Sequence, residues 1–288
     1  MQRYAIITGI TGQDGSYLAE FLLENEYKVY GAVRRSSSSN MDRLGNVINH
    51  PNLSLINMDF LDTSSIDKFV HTVLKECWSS LIISDHMEVY NLAAQSHVGE
   101  SFKIPSITHQ INAVGTIVLL ESLRNHFKDR FRFYQASSSE IYGNIATKGD
   151  IILNEATPFA PTSPYAVAKT AAFHTVKNYR ETYDLYCVNG ILFNHESPRR
   201  GVEFVTRKIT LGVAEYSTAV TYSPIQLGNL NAQRDWGDAR EYVKAMHLML
   251  TSQHVEVEGH NRHHEVTDFV VATGNTHTVR DFCELAFN

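Results

Sequence analysis

A doubly wound parallel α/β sheet with a smaller C-terminal lobe is the fold class this sequence predicts, and three observations predict it. The chain opens on an apolar run, a glycine-rich turn and an apolar-periodic stretch in immediate succession. Short apolar runs recur downstream, ending in small or polar residues. A tyrosine and a lysine spaced by four then follow a serine-rich run end, where a helix is expected to begin.

The first element is Tyr4-Ala-Ile-Ile-Thr8, a buried strand by its unbroken apolar character. Gly9-Ile-Thr-Gly-Gln-Asp-Gly15 follows directly, and Tyr17, Leu18, Phe21 and Leu22 recur at helical spacing. Strand, glycine turn and helix in this order suit a dinucleotide pyrophosphate. Glycines permit close backbone approach, and the free amides and dipole of a helix start favour an anion. The spacing is Gly-x-x-Gly-x-x-Gly, the short-chain dehydrogenase variant of the fingerprint.

The second strand, Lys28 to Val33, leads to Arg34 and Arg35, where an NAD enzyme places an acidic residue. A guanidinium there binds a 2′-phosphate that a carboxylate would repel, so NADP is expected. The alternative is a solvated loop of two arginines and the serines 36–39. The run Leu53 to Met58 precedes Asp59, expected against the adenine or, equally, as a strand-end turn residue. Glu88 to Ala94 forms the next strand and leads into Gln95-Ser96-His97-Val98.

The chemistry is expected further on. Phe131 to Ala136 reads as a strand whose C-terminal edge delivers Ser137, Ser138, Ser139 and Glu140 to the ligand crevice of an open parallel sheet. Tyr165 and Lys169 follow Pro161-Thr-Ser-Pro164 at a helix start, and a spacing of four puts both on one face. The lysine charge is expected to lower the tyrosine pKa, so that the phenol takes a hydroxyl proton during hydride transfer.

Taken together, Gly9 to Glu20, Val33 to Ser38, Asn91 to Val98, Asn189 to Gly201 and Leu227 to Gly237 resemble the GDP-mannose 4,6-dehydratases, extended short-chain dehydrogenase/reductases with a Rossmann-like sheet. The resemblance covers nearly the whole chain. It implies Ser138 in place of the family's catalytic threonine, Glu140 as base, and Tyr165 with Lys169 as the hydride-transfer pair. It implies NADP contacts by Gly9, Thr11, Gly12, Gln13, Asp14, Gly15, Arg34, Arg35, Ser36, Asp59, Phe60, Leu92, Ala93, Ala94 and Ser96. Tyr165, Lys169, His195 and Arg200 join those contacts. For the sugar nucleotide GDP-mannose it implies Ser96, Ser138, Glu140, Asn194, Lys208 and Arg234. A homodimer or homotetramer is also implied, with the loop from Arg35 to Ser39 near a neighbour's cofactor.

Glu140 separates these enzymes from nucleotide-sugar epimerases, which abstract no carbon proton there. Ser139-Glu140 stands where dTDP-glucose dehydratases carry Asp-Glu. The chain departs from the family over Cys77 to Asp85, Thr218 to Pro224 and the stretch holding His260, Arg262, His263 and His264, which reads as a polar loop rather than a metal site. Family members continue past Asn288 with a segment that completes the substrate lobe. An NADP-binding, catalytically incomplete relative is therefore the alternative, and an epimerase or 4-reductase a further one.

Composition sets limits. The 288 residues are 43% hydrophobic, enough for one wide sheet and a smaller lobe. The expected partition is residues 1–192 with 240–259 in the dinucleotide domain, and 193–239 with 260–288 in the substrate lobe. No apolar run reaches a membrane span and the N-terminus enters a strand directly, so a cytoplasmic protein is expected. Cys77, Cys187 and Cys283 are too few and too scattered for a disulfide framework or a zinc site. A net charge of −6 argues against nucleic-acid binding.

Overall fold

The computed structural model describes residues 2–35, 41–77, 86–147, 151–218, 223–252 and 267–288. Ser36, most of the 77–85 stretch, residues 219–222 and the histidines at 260, 263 and 264 lie outside them. Strand β1 (Arg3–Thr8) lies inside a seven-stranded sheet. β2 (Tyr27–Val33) and β3 (Leu53–Asn57) extend it on one side. β4 (Met87–Asn91), β5 (Phe131–Ala136), β6 (Tyr186–Leu192) and β9 (Phe269–Val271) extend it on the other. Every pairing is parallel, in the order β3-β2-β1-β4-β5-β6-β9.

The strands read as unbroken apolar runs because both faces are covered. Alternate side chains serve two cores. Tyr4 and Ile6 of β1, Met87 and Val89 of β4 and Phe131 and Phe133 of β5 pack with Phe69, Leu119 and Val176. Those partners come from α2 (Thr63–Cys77), α5 (Gly115–Phe127) and α6 (Pro164–Tyr183). Ala5, Ile7, Tyr90 and Tyr134 face the opposite way, onto Leu18 and Leu22 of α1 (Gln13–Glu24) and Val243 and Met246 of α8 (Ala239–Thr251). Helix α8 supplies the helix expected to return from 240.

A second, three-stranded sheet joins β7 (Asn194–Glu196), β8 (Gln233–Asp238) and β10 (Thr276–Thr278). With α7 (Val205–Thr218) and α9 (Val279–Phe287) it makes the smaller lobe. The expected partition needs one correction: β9 falls within 260–288 yet pairs with β6 on the large sheet. The cause is Asp268, whose carboxylate holds Arg180 of α6 at 2.8 and 3.0 Å and accepts from the Asn189 backbone of β6 at 2.9 Å. β4 is also shorter than expected. It ends at Asn91, because the amides of Leu92 and Ala93 donate to Thr8 Oγ1, both at 3.1 Å, instead of to a neighbouring strand.

Candidate active site

The glycine turn is built by contact. Gly9 has φ +69°, and a Cβ there would stand 2.8 Å from the Ala93 amide nitrogen. A Cβ on Gly15 would meet Gly9 O at 2.3 Å, so the first turn of α1 rests on the turn itself. Gly12 caps the helix without a side chain, leaving its first amides open toward a cleft of about 590 Å³. Gly9 and Thr11 to Gly15 form its floor. Ala32 and Arg34 at the end of β2, Asp59 and Phe60, and Leu92 to Ser96 form its sides. Arg199 to Gly201, Glu203 and Phe204 reach it from the second lobe.

Buried polar bonds set the 92–95 loop. Thr8 Oγ1 donates to Asn91 Oδ1 at 2.7 Å, and Asn91 Nδ2 donates to Gln135 Oε1 at 2.8 Å, tying the ends of β1, β4 and β5 together. Asn112 brackets Gln95, accepting from its amide at 2.8 Å and donating to its carbonyl at 2.9 Å. Asn112 lies in a π-helical turn, Gln110–Val114, between α4 (Pro105–His109) and α5. Ile104, Ile107 and Ile111 of this region give the cleft an apolar wall. Asp59 lines the cleft, and its Oδ1 accepts from the Leu61 amide in a turn at the end of β3.

At the end of β5 the expected chemical groups come together. Ser138 is buried, and its Oγ accepts from the Glu140 amide at 3.2 Å. Ser163 caps α6 by accepting from the Ala166 amide at 3.1 Å, and Pro164 occupies the first turn. This delivers Tyr165 and Lys169 to the buried face. Lys169 Nζ donates to Ala136 O at 2.8 Å and lies 5.8 Å from the Tyr165 ring centroid.

The expected effect of the lysine on the tyrosine is not the one found. Burial pushes the Tyr165 phenol up to about 12. A hydrogen bond with Ser138 acts against this, and the Glu140 carboxylate adds to it. Burial in turn lowers Lys169 to about 8, with Asp14 the charge that opposes the fall. The ammonium is aimed at a strand-end carbonyl, so desolvation governs both groups.

The segment after β6 packs on α1. His195 Nε2 meets Asp14 Oδ2 at 2.7 Å, Gln13 Nε2 donates to His195 O at 3.1 Å, and Ser197 Oγ donates to Gln13 Oε1 at 2.8 Å. Arg199 donates to Ser16 Oγ and Glu20. Arg43 Nε holds the Arg199 carbonyl at 2.8 Å. His195 is therefore bound up with Asp14 and does not line the cleft, whereas Arg200 does. Arg200 lies over the Phe204 ring at 3.8 Å and pairs with Glu196 at 3.2 Å.

Of the six expected substrate residues only Ser96 lines the cleft; Ser138 and Glu140, at the end of β5, lie outside its lining, and so do Tyr165 and Lys169. Asn194 pairs with Trp236 between β7 and β8. Lys208 is exposed and donates to Gln226 O at 2.5 Å. Arg234 is exposed and donates to Gln233 O. Arg35 is exposed and also outside the cleft wall. Sequence reasoning missed Arg43, Arg199 and Asn112. Arg199 lies inside the segment from Asn194 to Gly201 and was within reach, while Arg43 and Asn112 carry no local signal. Among the described residues no group of three His, Cys, Asp or Glu is placed to hold a metal ion, and the three cysteines are free.

Comparison with known proteins agrees with this architecture. The family model described as GDP-mannose 4,6 dehydratase matches residues 6–288. GDP-mannose 4,6 dehydratase 2 of Caenorhabditis elegans is 47% identical over 294 residues, covering 99% of this chain and 70% of its own length. The human GDP-mannose 4,6 dehydratase is 46% identical over 290 residues, covering 98% of this chain and 71% of its own. The fold matches the crystal structure of dTDP-glucose 4,6-dehydratase from Bacillus anthracis in complex with NAD. That match has a TM-score of 0.78 at 22% identity and spans 99% of this chain and 79% of the other. With a family model spanning all but the first strand residues and relatives at this identity, the chain belongs to the GDP-mannose 4,6-dehydratase family.

Proposed function

We propose that the protein is an NADP-dependent hydro-lyase that converts GDP-mannose to GDP-4-keto-6-deoxy-mannose, a first step toward GDP-fucose or related deoxyhexoses. The observation that carries this reading is the placement of Glu140 beside Tyr165 at the end of β5, within reach of its charge. A hydride-transfer site has no use for that carboxylate; a dehydration that must remove a carbon proton does.

The cleft fits a dinucleotide, since side chains at Gly9 and Gly15 would strike backbone and the first amides of α1 open onto it. Gly9 to Gly15 would hold the diphosphate, Arg34 the 2′-phosphate and Asp59 the adenine end. When bound, NADP accepts a hydride from C4 of the sugar and returns it at C6. Tyr165 takes the C4 hydroxyl proton, hydrogen-bonded by Ser138 and with Lys169 one helical turn away. A ketone at C4 acidifies the C5 hydrogen, and Glu140 removes it. Glu140 or the Ser138 hydroxyl then protonates the hydroxyl that leaves C6, and once the hydride is back at C6 the C5 carbon takes a solvent-exchangeable proton, the one Tyr165 received from the C4 hydroxyl. Asn194, Lys208 and Arg234 are assigned to the nucleotide sugar on the family pattern, from the lobe that faces this edge.

The test is incubation of the protein with GDP-mannose and NADP in heavy water, followed by mass spectrometry of the nucleotide sugar. Loss of one water with one deuterium gained supports the mechanism. Unchanged GDP-mannose from folded protein that binds NADP overturns it.

We also infer a cytoplasmic homo-oligomer. No helix of the described residues is long and apolar enough to cross a membrane. Helices α4 and α5, the π-helical turn between them and α6 run together and leave Val114, Ile117 and Val167 exposed, a surface suited to a second copy. Ile117→Glu is expected to shift the protein to a smaller species in light scattering, and an unchanged mass removes this face from the assembly.

A further inference from the structure

Asp14 is the second residue of α1, and its side chain, 20% exposed, forms part of the cleft wall. A carboxylate in the first turn of a helix ordinarily complements the dipole. Here the same amides face the place a diphosphate would take, and an uncompensated negative charge beside them opposes a second anion. The structure supplies the compensation from behind. His195 Nε2 is 2.7 Å from Asp14 Oδ2, and His195 Nδ1 is 2.8 Å from Phe193 O. A carboxylate and a carbonyl both only accept, so each ring nitrogen carries a hydrogen and the ring is an imidazolium. Tyr242 of α8 lies against the ring, 4.3 Å between centroids and inclined by 23°, which fixes its plane.

We propose that His195 is a positioning residue that cancels the charge of Asp14, so that tight dinucleotide binding requires the imidazolium. The inference rests on the dinucleotide reading of the cleft. The charged and titratable surroundings are consistent with it. Arg200 and Glu196 beside His195 pair with each other, and Tyr242 covers the ring. Lys169 and Tyr165 of α6 and Tyr134 of β5 feel Asp14 from the other side. Burial opposes a charge on His195, but the Asp14 carboxylate outweighs it and raises the histidine above its ordinary value; Asp14 is lowered in return. The histidine therefore keeps its charge to higher pH than an ordinary imidazole and loses it as the pH climbs through that raised value.

The experiment is calorimetric titration of NADP into the wild type, Asp14→Asn, His195→Asn and the double variant, from about pH 6 to 9. His195→Asn removes the cation in contact with Asp14, leaving only the charges of Arg200 and Lys169 against it, and is expected to weaken binding by about tenfold or more. The double variant, with no carboxylate to cancel, recovers most of that loss. Wild-type affinity falls at alkaline pH, while Asp14→Asn shows no such fall. A double variant as weak as His195→Asn, or parallel pH profiles for wild type and Asp14→Asn, overturns the proposal and leaves His195 a packing residue. If His195→Asn does not fold, the comparison of the two pH profiles decides alone. A folded wild type that binds no NADP at any pH refutes instead the dinucleotide reading on which the inference rests.

Discussion

At the scale of single residues, burial governs the protonation of two members of the site, Tyr165 and Lys169, more than their nearest charge does. Glu140 is the discriminating member. Glu140→Gln keeps the shape and removes the base, so kcat is expected to fall by about 10²- to 10⁴-fold with NADP affinity retained, and uptake of solvent deuterium into the sugar should vanish. Deuterium exchange at the wild-type rate would assign the carbon base elsewhere. Tyr165 and Lys169 set the pH dependence. With the phenol pushed up to about 12 and the amine lowered to about 8, the proton lost near 8 is the ammonium's. Tyr165 takes a hydroxyl proton only as the phenolate, so kcat/KM should rise with pH above about 8, as the phenol begins to ionise. A profile that is flat or falling across that range would show that the phenol proton is not the one that matters. The identities of both residues were legible from their spacing behind Pro164. Their pKa directions were not, because spacing along a helix says nothing of how much water the fold removes.

At the scale of elements, the glycine turn and α1 form one unit whose close contacts were only half visible in the chain. Three glycines at intervals of three announced the turn. That Gly15 touches the carbonyl of Gly9 while Gly9 touches the 92–93 backbone emerges only when β4 is laid beside β1. Gly15→Ala would place a methyl 2.3 Å from that fixed carbonyl. It is expected to cost about 1 to 3 kcal/mol in urea unfolding and to weaken NADP binding in the same variant. An unaffected variant would mean that α1 shifts freely against the turn. The 194–201 segment teaches the same lesson. His195 and Arg200 were expected at the cofactor; Arg200 lines the cleft, while His195 pairs with Asp14, and Arg199, which no expectation named, reaches Ser16 and Glu20, partners nearly two hundred residues back in the chain.

At the scale of the whole molecule, two lobes are joined by crossings whose order the chain does not announce. Strand β9 returns to the large sheet after a long excursion, and a buried ion pair fastens it. Arg180 and Asp268 side chains are only 5% and 10% exposed. Asp268→Asn strands a buried guanidinium, and a loss of about 3 to 5 kcal/mol in urea unfolding is expected. A loss below about 1 kcal/mol would show the pair to be solvated in practice. The short β9, with three residues and no periodicity to read, was invisible as a strand of the main sheet for a physical reason: its pairing is enforced by Asp268 and not by its own apolar pattern.

By itself, the sequence determined the strand runs, the strand–turn–helix opening and the family, and it proposed the Ser138, Glu140, Tyr165 and Lys169 set, because these depend on local periodicity, on residue chemistry and on order along the chain. Only the tertiary structure decided which of the expected contacts share one cleft, that His195 answers Asp14 and not the cleft, and that β9 belongs to the large sheet. Those outcomes are set by burial and by partners distant in sequence, and both come into being only when the chain has closed on itself.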